Sequence, residues 1–185
     1  MDLRPRADLG RAAAPLTDRF ARSQIDAVND DPIAQLERSH RRLEEACDAL
    51  VQASCSRNIE TVSDVCAFFS RQVRRHEEDE EASLFPRLRA AKKTPELEAL
   101  LERLATEHRE HEALHRRLEE AVAGRVEGDV WTEIASVADL VMLAYRRHIE
   151  EEERSLFPAT RALLGPEELA AMQGEMDARR GRGRR

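Results

Sequence analysis

The segment from Arg74 to Pro86, RRHEEDEEASLFP, returns 72 residues later from Arg146 to Pro158 as RRHIEEEERSLFP, with ten of thirteen positions identical. No other feature constrains the fold as much, because two near-identical copies call for the same kind of element carrying the same side chains. Each copy contains HxxxEExSLFP. In an α-helix, residues four apart lie on one face, one turn from each other. His76 with Glu80, and His148 with Glu152, can each aim an imidazole and a carboxylate at one point. This is a metal-binding geometry, supplied twice.

The apolar register puts these residues on a core seam. Upstream of His76 the apolar residues run Ile59, Val62, Cys66, Phe69, Val73, and the next steps of that alternation fall on His76 and Glu80. Upstream of His148 the series is Ile134, Val137, Val141, Ala144, with Glu152 one turn beyond. Ligand-type side chains therefore continue the buried stripe and leave the wet face. Burying them costs several kcal/mol unless something pairs with them, and one cation pairs with both types at once.

Two further segments have the same character. Asp31 caps Pro32 at the start of a helix whose seam is Ile33, Leu36, His40, Leu43, Cys47, Leu50. Thr94-Pro95 opens another, with the seam Leu97, Leu101, Leu104, His108, His111, His115, Leu118, Val122. The second helix runs from about Asn58 to Lys92 with a break or kink near Pro86, and the fourth opens at Gly128-Asp129 and closes at Leu164-Gly165-Pro166. A content of 4% aromatic and 36% charged residues suits amphipathic helices and not a sheet. The expected fold class is all-α: an antiparallel up-down-up-down four-helix bundle over residues 30–165, with a short extra C-terminal helix and flexible tails.

Residues 1–29 read as a partly disordered N-terminal arm in which Leu16, Phe20 and Ile25 could form one short helix, and residues 166–185 as a short helix and a basic tail. A formal net charge of −7 argues against nucleic acid as a partner, and the run Arg179–Arg185 is expected to be a solvated end. No apolar run approaches the length of a membrane span and no signal-peptide core is present, so a cytoplasmic location without membrane attachment is expected. Three cysteines fit that compartment; Cys47 and Cys66 fall on helix seams as small buried hydrophobes.

The seams collect His40, His76, Glu80, His111, His115, His148 and Glu152. Five imidazoles and two carboxylates exceed what one ion takes. Two ions sharing two bridging carboxylates and a small oxygen bridge need about five terminal donors and leave one position open. Mixed imidazole and carboxylate donors suit iron, with manganese possible, and no cysteine joins the cluster. The heights agree at the first two turns of the chain. They agree less well at the third, where His111 lies about 15 residues before a turn near 126 and His148 about 22 after it.

On these motifs, a lone helix-one His40, HxxxE at His76/Glu80 and His148/Glu152, and HxxxH at His111/His115, residues 30–165 resemble the hemerythrin-like proteins of the HHE cation-binding type. The resemblance implies an oxo- or hydroxo-bridged pair of iron ions. One would be held by His111, His115 and His148, the other by His40 and His76 with a vacancy for O2, peroxide or NO, and Glu80 and Glu152 would bridge. Glu153 competes with Glu152, and the repeat of the Glu80 register favours Glu152; Glu81 and Glu153 point further round, toward solvent or a supporting shell. His108 is an alternative ligand, a hydrogen-bond donor to a bound small molecule or a polar core residue, and Tyr145 either packs in the core or faces the site. The use of such a site spans carriage, storage, sensing and detoxification, including enzymatic turnover of peroxide or NO. A rival ferritin-like reading takes Glu37-x-x-His40 and Glu112-x-x-His115 as ExxH pairs beside Glu80 and Glu152.

Overall fold

Helix α1 (Pro32–Ser56) begins where the Asp31 side chain accepts the Ile33 N–H at 3.1 Å, with Pro32 in the first turn. It stops at Arg57, whose φ of 53° no helix continues. Asn58 then caps α2 (59–91), Thr94 caps α3 (Pro95–Val122), and Asp129 caps α4 (130–163), each accepting a backbone N–H of the first turn. A shorter α5 (Pro166–Arg179) follows Gly165. The structure, a computed structural model, describes residues 31–181; the expected helix around Leu16, Phe20 and Ile25 and the last residues of the basic tail lie outside them. Among the described residues every regular element is helical.

The repeat leaves the same mark on both helices that carry it. At Glu80–Leu84 and at Glu152–Leu156 the helix widens into a π turn, in which the Phe85 N–H bonds to the Glu80 carbonyl and the Phe157 N–H to that of Glu152. Proline lacks an N–H and its ring crowds the carbonyl four residues back. Pro86 and Pro158 therefore cannot extend the α-helical ladder, and one wide turn absorbs the mismatch without ending the helix. The break expected near Pro86 is this widening, and it starts on the glutamate. A third π turn, Phe69–Val73, lies one turn before His76.

The four long helices contact one another in a closed ring, α1 to α2 to α3 to α4 and back to α1. Inside are two apolar clusters. One gathers Leu43, Leu50, Val62, Phe69, Val73, Leu118, Ile134, Val141 and Tyr145; the other gathers Ile33, Leu36, Leu84, Phe85, Leu104, Leu156 and Phe157. On every long helix the site residues fall between members of the two clusters, so they form a polar layer sandwiched by hydrophobic packing. Each buried Leu or Phe of those clusters contributes roughly 1.5–3 kcal/mol, which carries the cost of the polar layer between them.

Helix α5 packs on α1 and α2, burying Met172 and Met176 in the second cluster. Arg179 and Arg180, expected to begin a solvated tail, are instead drawn onto Asp79, which is fully buried: Nε of Arg179 lies 2.6 Å and Nη2 of Arg180 2.5 Å from its two oxygens. A buried carboxylate needs such partners, and α5 brings them. No helix among the described residues is long and apolar enough to cross a membrane.

Candidate metal centre

His40, His76, Glu80, His108, His111, His148 and Glu152 are all buried, with Glu80, Glu152 and His40 fully so. Helices α1 and α3 supply imidazoles alone. Helices α2 and α4 supply a histidine in the last regular α-turns and a glutamate at the first residue of the π turn. Ligand-type atoms gather in two groups, each within 4.8 Å: His40, His76, Glu80 and Glu152, and Glu80, His108, His148 and Glu152. Both glutamates belong to both groups.

Nε2 of His40 stands 3.0 Å from one Glu152 oxygen and Nε2 of His148 3.2 Å from the other. Glu80 likewise has Nε2 of His76 at 3.3 Å on one oxygen and Nε2 of His108 at 3.4 Å on the other. These atoms are near one another yet misaligned for hydrogen bonds. Both oxygens of each glutamate, Nε2 of His40, both nitrogens of His76 and Nε2 of His111 are left without a hydrogen-bond partner. Buried polar atoms are almost always satisfied, so such a concentration in one layer marks a place for a missing partner. Donors about 2.1 Å from an octahedral ion and at right angles are separated by about 3.0 Å, close to the spacings found. The residues present fit a metal centre.

The outer nitrogens of the histidines are held from behind. Nδ1 of His40 pairs with Glu153 at 2.9 Å, that of His108 with Glu81 at 2.7 Å, that of His148 with Glu107 at 2.8 Å, and that of His111 with Glu77 at 3.4 Å. A carboxylate on Nδ1 favours the tautomer whose Nε2 lone pair faces the centre. The electrostatics show how crowded the layer is. Burial pushes the Glu80 carboxyl up to about 7, with the Glu152 charge adding to the effect. Burial also drives His76 well below its ordinary value and His111 down to about 3. For His108 burial acts the other way from the outcome: the neighbouring Glu80 carboxylate and the bond to Glu81 outweigh it and raise the imidazole to about 10.

Six of the seven expected donors stand in or beside this layer. His115 does not: it is only half-buried, stacks on Phe69 with ring centroids 4.4 Å apart, and bonds the Tyr145 hydroxyl at 2.9 Å. His108 occupies the α3 place in the cluster, its Nε2 being 3.2 Å from that of His148. Tyr145 faces the layer, its ring centroid 4.1 Å from that of His111. Glu81 and Glu153 take the supporting role that was one of their two readings. Glu77 and Glu107 were not foreseen; each directly neighbours a histidine of the stripes in sequence, and that adjacency was the available signal. The ferritin-like set is not assembled, because Glu112 is exposed and Glu37 pairs with Arg161 at 2.7 Å.

A groove of about 760 Å³ between α2 and α3, with Glu77, Glu81, His108, Arg109 and His115 among its walls, reaches the His108 side of the layer from solvent. A family model described as the hemerythrin HHE cation binding domain matches residues 31–160. The comparison with curated proteins gave no match.

Proposed function

The chain belongs to the hemerythrin HHE cation-binding domain family, and from that premise we propose that the buried layer holds two iron ions, with Glu80 and Glu152 shared between them. His40 and His76 serve one ion, and His108, His111 and His148 the other. The sharing carries this reading: both glutamates belong to both donor groups, as bridging carboxylates must. The third imidazole is supported by spacing. The His111–His148 ring centroids are 4.9 Å apart, the same as His108–His148 and close to the 5.0 Å of His40–His76. The reading takes the four long helices as an up-down-up-down bundle, which their short connections favour.

A pair of ferrous ions held by these residues would supply two-electron chemistry toward O2 or peroxide, or a site for NO. The chain's own groups do the rest. Glu81, Glu107 and Glu153 hold the imidazoles in one tautomer and orientation. The two apolar clusters keep bulk water from both ends of the layer, and the groove beside His108 admits small molecules.

Anaerobic diferrous protein mixed with O2, peroxide or NO tests this by optical spectroscopy. A new near-ultraviolet to visible band is expected. Its reversal at low O2 identifies a carrier or sensor, and rapid loss of added peroxide with O2 release identifies an enzyme. No spectral change with any of the three would turn the reading toward a closed storage or structural metal site.

A further inference from the structure

The donors described above leave Tyr145 and His115 without a role, although both are built tightly into the layer's edge. Tyr145 is 2% exposed. Its hydroxyl lies 2.9 Å from Nε2 of His115 and 3.4 Å from Oε1 of Glu77, and that same oxygen lies 3.4 Å from Nδ1 of His111. Its ring packs 4.1 Å from the His111 ring, and the His111 ring 4.9 Å from that of His148, so an unbroken aromatic contact runs from the phenol to the centre. His115, at the other end of the hydrogen bond, borders the solvent groove.

A phenol surrendered to apolar packing alone would need only a ring, as the neighbouring Phe69 shows. Here the hydroxyl is retained and given two acceptors, of which His115 is the nearer. Removing an electron from a neutral phenol is hard unless its proton leaves in the same event, because the protonated radical is a strong acid. An imidazole nitrogen in hydrogen-bond contact receives that proton without any movement of heavy atoms. We propose that Tyr145 is a redox-active tyrosine: a one-electron donor to the buried centre whose phenolic proton is taken by His115.

The inference rests on the centre being a redox-active iron pair. Its electron balance is specific. Hydrogen peroxide accepts two electrons and two protons to become two waters. With one ferrous and one ferric ion, the centre supplies one electron and becomes diferric, and Tyr145 supplies the other. The phenolic O–H bond breaks, the proton forms an N–H bond at Nε2 of His115, and a neutral phenoxyl radical remains beside an imidazolium. The two protons consumed by peroxide enter from solvent. A diferrous centre supplies both electrons itself, so Tyr145 stays silent.

The chain has a single tyrosine, so any tyrosyl signal belongs to Tyr145. Iron-loaded protein, poised by one-electron reduction, is mixed with one equivalent of hydrogen peroxide, rapidly frozen and examined by electron paramagnetic resonance. Iron per chain and the optical spectrum are measured on the same sample. The expected result is an organic radical whose hyperfine splitting narrows in protein carrying ring-deuterated tyrosine. It should be absent from the diferrous sample and from Tyr145→Phe at unchanged iron content, and its yield should fall in His115→Phe. Oxidation of the iron with no radical, or a radical surviving in Tyr145→Phe, overturns the relay alone. Failure to hold iron, or iron inert to peroxide, overturns the metal reading and the relay with it.

Discussion

Nε2 of His108 and Nε2 of His148 face each other at 3.2 Å, while Glu81 and Glu107 hold their outer nitrogens at 2.7 and 2.8 Å. With both Nδ1 atoms engaged as donors to carboxylates, two lone pairs point at one another. Such an arrangement is repulsive unless a proton or a cation lies between them. His108 is thus the α3 imidazole that a metal at this place needs most.

His108→Ala is accordingly expected to lower iron content well below that of the parent protein, and His115→Ala to leave it within error. Iron analysis after desalting measures both. The HxxxH spacing of His111 and His115 implies the opposite order, and loss of iron in His115→Ala with retention in His108→Ala would restore it.

Why the sequence favoured His115 is instructive. All three α3 histidines lie on one stripe, and spacing along a stripe does not say which turn meets the ligands of the other helices. The weaker height match at the third crossing held the missing information. His108 lies about 18 residues before the turn near 126, nearer than His111 to the distance of about 22 on to His148. The helices, their caps, the polar layer and the pairing of Glu80 with Glu152 were legible because periodicity and an internal repeat write them locally. The π turns and the Glu77 and Glu107 partners were not, since widening and cross-helix bonding depend on neighbours far away in the chain.

Glu107 supports His148 from behind and also meets Arg147 at 3.3 Å. Glu107→Ala should weaken iron binding by about 10- to 100-fold while leaving the helical content unchanged. Competition with a calibrated chelator reads the affinity, and circular dichroism reads the fold; an unchanged affinity would show that the His148 orientation is set by packing alone.

Pro86 directly follows the π turn that begins at Glu80. Pro86→Ala restores an N–H able to bond the Ala82 carbonyl, so the helix can tighten there. Thermal stability of the metal-free protein is expected to rise and iron retention to fall. A variant that gains no stability, or that holds iron as firmly as before, would show the wide turn to be independent of the proline.

Asp79 is fully buried beneath Arg179 and Arg180, whose side chains are 20% and 15% exposed. Replacing both arginines by alanine leaves that carboxylate unpaired and is expected to cost about 3 kcal/mol in urea unfolding. Arg154→Ala, which breaks only pairs at a side chain 65% exposed, should cost less than about 1 kcal/mol. Equal effects would mean that the Asp79 pairs add nothing to the docking of α5.

Burial pushes the Cys47 and Cys66 thiols up to about 12, whereas Cys55 is exposed. Since the thiolate is the reactive form, one thiol of the native chain should label rapidly with a disulfide reagent at neutral pH and the other two only after unfolding. Mass spectrometry locates the label, and fast modification of Cys47 would contradict its place in the core.

The central claim is a centre of two ions sharing Glu80 and Glu152. X-ray absorption at the iron edge on protein of measured iron content tests it most directly. The expected result is about two irons per chain with a metal–metal vector of no more than about 4 Å, lost together with the iron in Glu152→Ala. A protein saturated by one iron, or showing no metal–metal scattering at full loading, would contradict it.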